Sequence, residues 1–358
     1  MTNKLTLPAE WYPADGILLA WPHPGTDWAY MLGQIRQCYI EMVKAVIPYV
    51  PVVIIGPDTD DIRSALSSES IADDSRIHLL QVPTNDTWIR DYGIITTIDG
   101  TGHPIYNDFC FNGWGLKFAA DLDNLANQGL HAAGILGAGP FSSRLGTVLE
   151  GGSIDSDGQG TILTTEHCML SPNRNGFRSR AAAARMLRNA FGAKRVLWLG
   201  QGSLEGDDTD GHIDTLARFA SPRDILYTRC DDPEDSHFAP LSAMEKELCG
   251  LRQADGTPYN LIPLPLPDPV YDPDNGERLP ATYANFLVIG TQAVIVPTYR
   301  QPDKDVLAAK TIQKAFPHHK IECVDATALI RQHGSIHCAT MQMPRGALTL
   351  PPQAPAKA

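Results

Sequence analysis

The chain predicts an α/β fold in a single domain, and three observations carry that expectation. Strand-like and helix-like runs alternate from end to end, and no linker-like break interrupts the middle. The 358 residues are 43% hydrophobic and 20% charged, an ordinary globular balance. Length alone would also allow two domains. A chain this long buries roughly three quarters of its unfolded surface and needs no staples.

Residues 17–21, 52–56 and 77–82 are short apolar runs of strand length. Between the first two, residues 34–47 place Ile35, Tyr39, Met42, Val43 and Val46 at helical spacing, which gives one buried face. Residues 121–134 read as the next helix. The stretch 155–160 has the chemistry of a hairpin or tight turn and leads into a strand at 160–165. A helix at 179–190, strands at 195–199 and 225–228, and a helix at 241–250 come next. Pro- and Asp-rich residues 264–280 read as a long surface loop. Strands at 283–289 and 293–296, a helix at 303–315 and a strand at 320–324 complete the series. The Pro/Ala-rich residues 348–358 are expected as a frayed tail, leaving 1–347 as the catalytic domain.

Composition narrows the class. A net charge of −12 argues against nucleic acid or an anionic membrane as partner. No apolar run approaches the roughly 18 residues needed to span a bilayer. The first residues lack the apolar core and cleavage site of a signal peptide. The seven cysteines are scattered and form no CxxC pair, a reduced pattern that places the chain in the cytoplasm.

The most informative segment is Gly334-Ser335-Ile336-His337-Cys338-Ala339-Thr340, whose small neighbours would let the Cys338 sulfur be exposed. His212 and Asp214 form an H-x-D pair that would share a face if it lay on a strand. His337 would point away from Cys338 on a strand and is not taken as its partner. Asp91 sits in Trp88-Ile89-Arg90-Asp91-Tyr92-Gly93 just before a strand, and Glu150 precedes two glycines that permit a sharp bend. Asp207, Asp208 and Asp210 make an acidic loop without the spacing of a calcium site. Phe111-Asn112-Gly113-Trp114-Gly115 is a candidate pocket wall. Each of these also has a plain structural reading: a packed cysteine, a solvated strand end, a surface ion pair. Cys38, Cys249 and Cys323 are assigned to packing.

A thiol, an imidazole and several carboxylates suit attack on a guanidinium carbon. That group is planar and always cationic, so hydrolysis needs carboxylates in its plane, a nucleophile above it and an acid for departing ammonia. A cysteine thiolate serves better than serine because it is partly populated near neutrality, more so beside a bound cation.

In order, the segments Pro8-Ala9-Glu10-Trp11-Tyr12-Pro13, NDTWIRDYG, FNGWG, LEGGSI, Asn173-Arg174-Asn175, GDDTDGHID, YANFL and HGSIHCATMQMP resemble the agmatine deiminase family, and more distantly the Porphyromonas-type peptidyl-arginine deiminases. The resemblance spans nearly the whole chain. It implies the pentein fold, a fivefold pseudosymmetric α/β propeller of ββαβ units, and hydrolysis of agmatine without metal or organic cofactor. It further implies Cys338 as nucleophile, His212 as general acid then base, and Glu150 as orienting group. Asp91 and Asp214 would bind the guanidinium, with Asp208, Trp88 and Trp114 as further substrate contacts. A small cationic guanidino compound is the implied partner, and a homo-oligomer the implied assembly. Many relatives carry Gly-Gly-Gly-Asn-Ile-His-Cys around the nucleophile, whereas this chain has His333-Gly334-Ser335-Ile336-His337-Cys338. Free arginine and peptidyl-arginine are alternative substrates; for the carboxylate of free arginine, Arg90 and Arg174 are the basic candidates. A thiol protease or transglutaminase, and a binding protein on the same scaffold, are the readings from other classes.

Overall fold

The computed structural model describes residues 5–350 of the chain. Strand β1 (Ala14–Ala20) leads through helix α1 (Leu32–Val46) to parallel β2 (Val52–Gly56), and α2 (Thr59–Ser67) leads on to parallel β3 (Ile77–Gln81). Four further units repeat one pattern: an antiparallel strand, a central strand, a helix, and a strand parallel to the central one. They are β4 (Ile95–Ile98), β5 (Pro104–Cys110), α3 (Asp123–Ala132) and β6 (Phe141–Val148); then β7 (Ile154–Ser156), β8 (Thr161–Thr165), α4 (Arg180–Phe191) and β9 (Arg195–Leu199). Next come β10 (Ala217–Phe219), β11 (Asp224–Arg229), α5 (Phe238–Gly250) and β12 (Asn260–Pro265), and finally β13 (Leu287–Ile289), β14 (Ala293–Thr298), α6 (Pro302–Ala315) and β15 (Lys320–Asp325). The first unit obtains its antiparallel strand from the far end of the chain, where β16 (Thr340–Pro344) pairs with β1. The result is the expected fivefold propeller of ββαβ units, closed by β16.

Local chemistry explains the elements. All five residues of β2, VVIIG, are buried, as a strand covered on both faces requires. Ser179 caps α4 by accepting from the Ala182 amide, and Gly192 ends it in the left-handed region at φ 67. Asp58 caps α2 through the amides of Asp60 and Asp61.

Several elements depart from the sequence expectation. β5 escaped notice because Asn107 and Asp108 lie within it, yet both are buried. Asn107 Nδ2 donates to Ile95 O at 3.0 Å, and Asp108 accepts from Asn127 at 2.9 Å. β12 contains two prolines, which an edge strand tolerates, and it takes the first two residues of the expected loop at 264–280. The strand expected at 283–289 begins only at Leu287. Cys249 and Cys323 are exposed rather than packed. Leu348 bridges to Leu136, and residues 351–358 of the expected tail lie outside those described. No described helix is long and apolar enough to cross a membrane.

Candidate active site

Each unit contributes one segment to the centre, always the few residues just before its antiparallel strand. They are the helical turn Ile89–Tyr92 before β4, Glu150 with the tight turn Gly151–Ser153 before β7, and His212 with the turn Ile213–Thr215 before β10. Residues 282–286 precede β13, and 334–339 precede β16. Turns of neighbouring units touch, so residues far apart in sequence meet.

Cys338 is buried, 4% exposed, which corrects the expectation of an accessible sulfur. Its segment is a turn, and the Cys338 amide donates to Asn285 Oδ1 at 3.2 Å while Asn285 Nδ2 donates to the sulfur at 3.2 Å. Asp214 Oδ2 lies 3.7 Å from the sulfur, and its Oδ1 is buried without a hydrogen-bond partner. His212 precedes, and Asp214 lies on, a 3-10 turn rather than a strand, and both side chains converge beside Gly152. His212 Nδ1 is 3.6 Å from Asp91 Oδ1 and Nε2 is 3.7 Å from Glu150 Oε2; neither nitrogen has a hydrogen bond. Asp207 ties the preceding loop by accepting from the Thr209 and Gly211 amides.

Asp91 is fixed by Trp114 Nε1 and the Gly152 amide, each at 2.9 Å. Gly152 is required there: a Cβ would lie 2.7 Å from His212 Nδ1 and 2.9 Å from both Asp214 Oδ2 and Asp91 Oδ1. Trp114 reaches Asp91 from a run of left-handed backbone, Gly113, Trp114, Gly115 and Leu116 at φ 64, 53, 89 and 72, which the two glycines ease. Glu150 accepts from Arg174 Nε through both oxygens, at 2.9 and 2.8 Å, and Arg174 also grips Asp210 at 2.6 Å.

The electrostatics are those of a site short of one positive charge. Burial, then Asp214 and Asp91, push the Cys338 thiol well above its usual range. Burial also raises Asp91; Asp214 and Glu150 add to this, while His212 opposes it. For Glu150, burial is outweighed by His212 and Arg174, and its carboxyl is held low. For His212, burial is outweighed by Asp91, then by Cys168 and Glu150, so its imidazole holds its proton well above the ordinary range. A cation placed between Asp91 and Asp214 would reverse the upward shifts of both Asp91 and Cys338. Glu150, Cys168 and His212 present donor atoms within 4.8 Å of one another, a set a soft divalent cation could use. Such an ion would have to displace Arg174 from Glu150.

A cavity of ≈ 360 Å³ adjoins the centre through Trp114, the donor to Asp91; Trp88, Phe118 and Tyr30 and Asp27, Asp86, Asp208, Asp272 and Asp274 also line it. Trp88 packs where a side chain at Gly334 would have to stand. His333 also lines this mouth, in left-handed backbone at φ 68. Sequence reasoning missed Asn285, although it lies in the YANFL segment; a lone amide inside an apolar run was the available signal. It also set aside His337, which reaches beneath the site to Asp214 at 2.7 Å because its segment is a turn and not a strand.

The fold and this convergence place the molecule among the pentein-type hydrolases that act on C–N bonds of linear amidines. More narrowly, the chain belongs to the Porphyromonas-type peptidyl-arginine deiminase family, whose model matches residues 6–344. A Porphyromonas gingivalis protein provisionally named an arginine deiminase is 45% identical, with a TM-score of 0.89 over 97% of this chain and 100% of that one. A C. jejuni agmatine deiminase variant with substrate bound is 38% identical, with a TM-score of 0.87 over 96% of this chain and 97% of that one. A Legionella pneumophila protein provisionally named agmatine deiminase is 33% identical over 95% of this chain and 94% of its own length.

Proposed function

We propose that the protein is an agmatine deiminase, converting agmatine and water to N-carbamoylputrescine and ammonia, a step toward putrescine. The mouth carries this reading. Five aspartates line it, and its one Arg or Lys, Arg331, is committed to Asp272 at 2.8 Å and Asp274 at 2.5 Å. Arg174 is engaged by Glu150 and Asp210, and Arg90 by the His337 carbonyl and Gln342. A substrate whose far end is an ammonium suits these walls. An α-carboxylate would find no uncommitted guanidinium among the residues lining this mouth.

The geometry supports the following roles. Asp91 and Asp214 hold the guanidinium nitrogens, with Glu150 orienting His212. As the cation enters, the Cys338 thiol releases its proton to solvent, and the thiolate adds to the guanidinium carbon. His212 gives its proton to one nitrogen, ammonia departs, and a thiouronium remains on the sulfur. The now neutral His212 takes a proton from water and hydroxide adds to the same carbon; the C–S bond then breaks, the hydroxyl proton passes to the departing thiolate, and the ureido product is released. Asn285 Nδ2 stabilises the sulfur whenever it is anionic. Because all five units supply the site, residues 1–347 act as one catalytic domain.

The test is side-by-side ammonia release from agmatine, free arginine and a peptidyl-arginine substrate. Agmatine should lead in kcat/KM by at least about tenfold, the step that about 1.4 kcal/mol of transition-state preference gives. A preference for arginine would refute the assignment.

A further inference from the structure

His337 has no part in the chemistry above, yet it is among the most tightly held side chains in the molecule. Its Nδ1 lies 2.7 Å from Asp214 Oδ2 and its Nε2 lies 2.5 Å from Glu10 Oε1, so both ring nitrogens face carboxylate oxygens. Its amide donates to Asn285 Oδ1 at 3.0 Å, and its carbonyl accepts from Arg90 Nε at 3.2 Å. Glu10, from the segment before β1, is fixed in turn by Arg218 Nη2 at 2.7 Å, with Arg90 Nη1 at 3.5 Å. Arg218 completes the layer through Asp155 Oδ2 at 3.4 Å and lies over the Phe286 ring. Every one of these side chains is buried.

An ordinary core histidine would leave a saturated ion pair behind it. Here the pair is saturated on one side only. His337 occupies Asp214 Oδ2, and Oδ1 stays buried with no hydrogen-bond partner. A buried carboxylate oxygen without a donor costs free energy unless a ligand supplies the donor. We propose that His337, braced by Glu10, is a positioning residue that pins Asp214 by one oxygen and presents the other, bare and ionised, to the guanidinium of the substrate. The proposal rests on the guanidino reading of the site.

The groups that bear on this ring are Glu10 from the N-terminal segment, Arg90 before β4, Asp155 on β7, Asp214 and His212 before β10, Arg218 on β10, and Cys338 beside it. His337 opposes the burial that would otherwise drive Asp214 to its neutral form. Without the ring, a proton would compete with the substrate for Asp214 as pH falls.

The experiment compares alkylation of Cys338 by 2-chloroacetamidine, which carries an amidinium, with alkylation by neutral iodoacetamide, across pH, in wild type and H337Q. Steady-state kinetics are measured beside it on whichever guanidine the wild type hydrolyses. In H337Q the amidine-over-amide rate ratio at neutral pH should fall at least about tenfold, a Coulombic contact worth about 1.4 kcal/mol. The loss in kcat/KM should appear mainly in KM, with its acid limb moved to higher pH. D214N/H337Q should be no worse than D214N, because His337 acts through Asp214. E10Q should shift the same ratio in the same direction by less. A folded H337Q with the wild-type ratio and pH profile overturns the proposal, as does a double variant that loses the full H337Q factor beyond D214N. If H337Q fails to fold, an unchanged ratio in E10Q overturns it and a lowered ratio supports it. Wild-type protein with no amidine preference and no guanidine turnover would instead sink the functional reading itself.

Discussion

Cys338 is placed where its thiol is least able to ionise alone: buried, with Asp214 and Asp91 disfavouring the anion. In the proposed reaction, reactivity arrives with the substrate, whose positive charge would offset both. Cys338→Ser should lower ammonia release by at least about 10³-fold while the protein stays folded, since removing a nucleophile cripples the whole unit; near-wild-type turnover would rule out the covalent route. Asn285→Ala removes the side-chain amide that donates to the sulfur and should cost about 10²-fold in kcat, as loss of one preorganised donor does. Its stability should be checked by thermal melting, because Asn285 Oδ1 also holds two main-chain amides. Asp208 supplies a pH signature. Burial raises its carboxyl to about 6, with His333 opposing. A cationic tail binds the ionised form, so the KM for agmatine should rise as pH falls through about 6 while kcat changes little. Asp208→Asn should show a higher KM that is flat over that range, and a retained pH dependence of KM would exonerate Asp208.

At the scale of elements, the site is built from turns and not from strands. That decided what could be read beforehand. Asp91 and Glu150 were legible because a charged residue before an apolar strand, or before two glycines, has few places to go. His212 and Asp214 were legible as a pair, but the strand periodicity invoked for them was the wrong geometry. His337 was set aside by the same error, since alternation holds only within a strand. β5 and β6 left no clean apolar pattern because polar residues interrupt them; on β5, Asn107 is paired internally with Ile95 O and Thr97 Oγ1. The turn Gly151–Ser153 invites a direct test. Gly152→Ala places a methyl among His212, Asp214 and Asp91, so kcat/KM should drop about 10²-fold, as a misplacement of roughly 1 Å does. Circular dichroism and melting temperature should move little by comparison. Unchanged kinetics would mean the centre is looser than these distances imply.

The whole molecule is a ring of five similar units, and no sequence repeat reveals it, because each unit keeps its own residues on the common scaffold. Alternation of elements was visible, and the ordered motifs pointed to the pentein fold. The closure was not visible, because pairing of β1 with β16 joins residues more than 300 positions apart, as Leu18 with Met341. Met343, fully buried on β16, should be intolerant of charge. Met343→Asp should destabilise the protein by ~3 kcal/mol or more, read by urea denaturation, because an uncompensated charge is buried. Activity should be lost at lower urea than in the wild type. The same closing strand sets an order of events in time. Pairings this distant in sequence form late in folding, and Cys338, the proposed nucleophile, sits two residues before the strand that makes them. Refolding chains should thus recover helical signal well before they can release ammonia, and the lag between the two would clock the last seam of the ring.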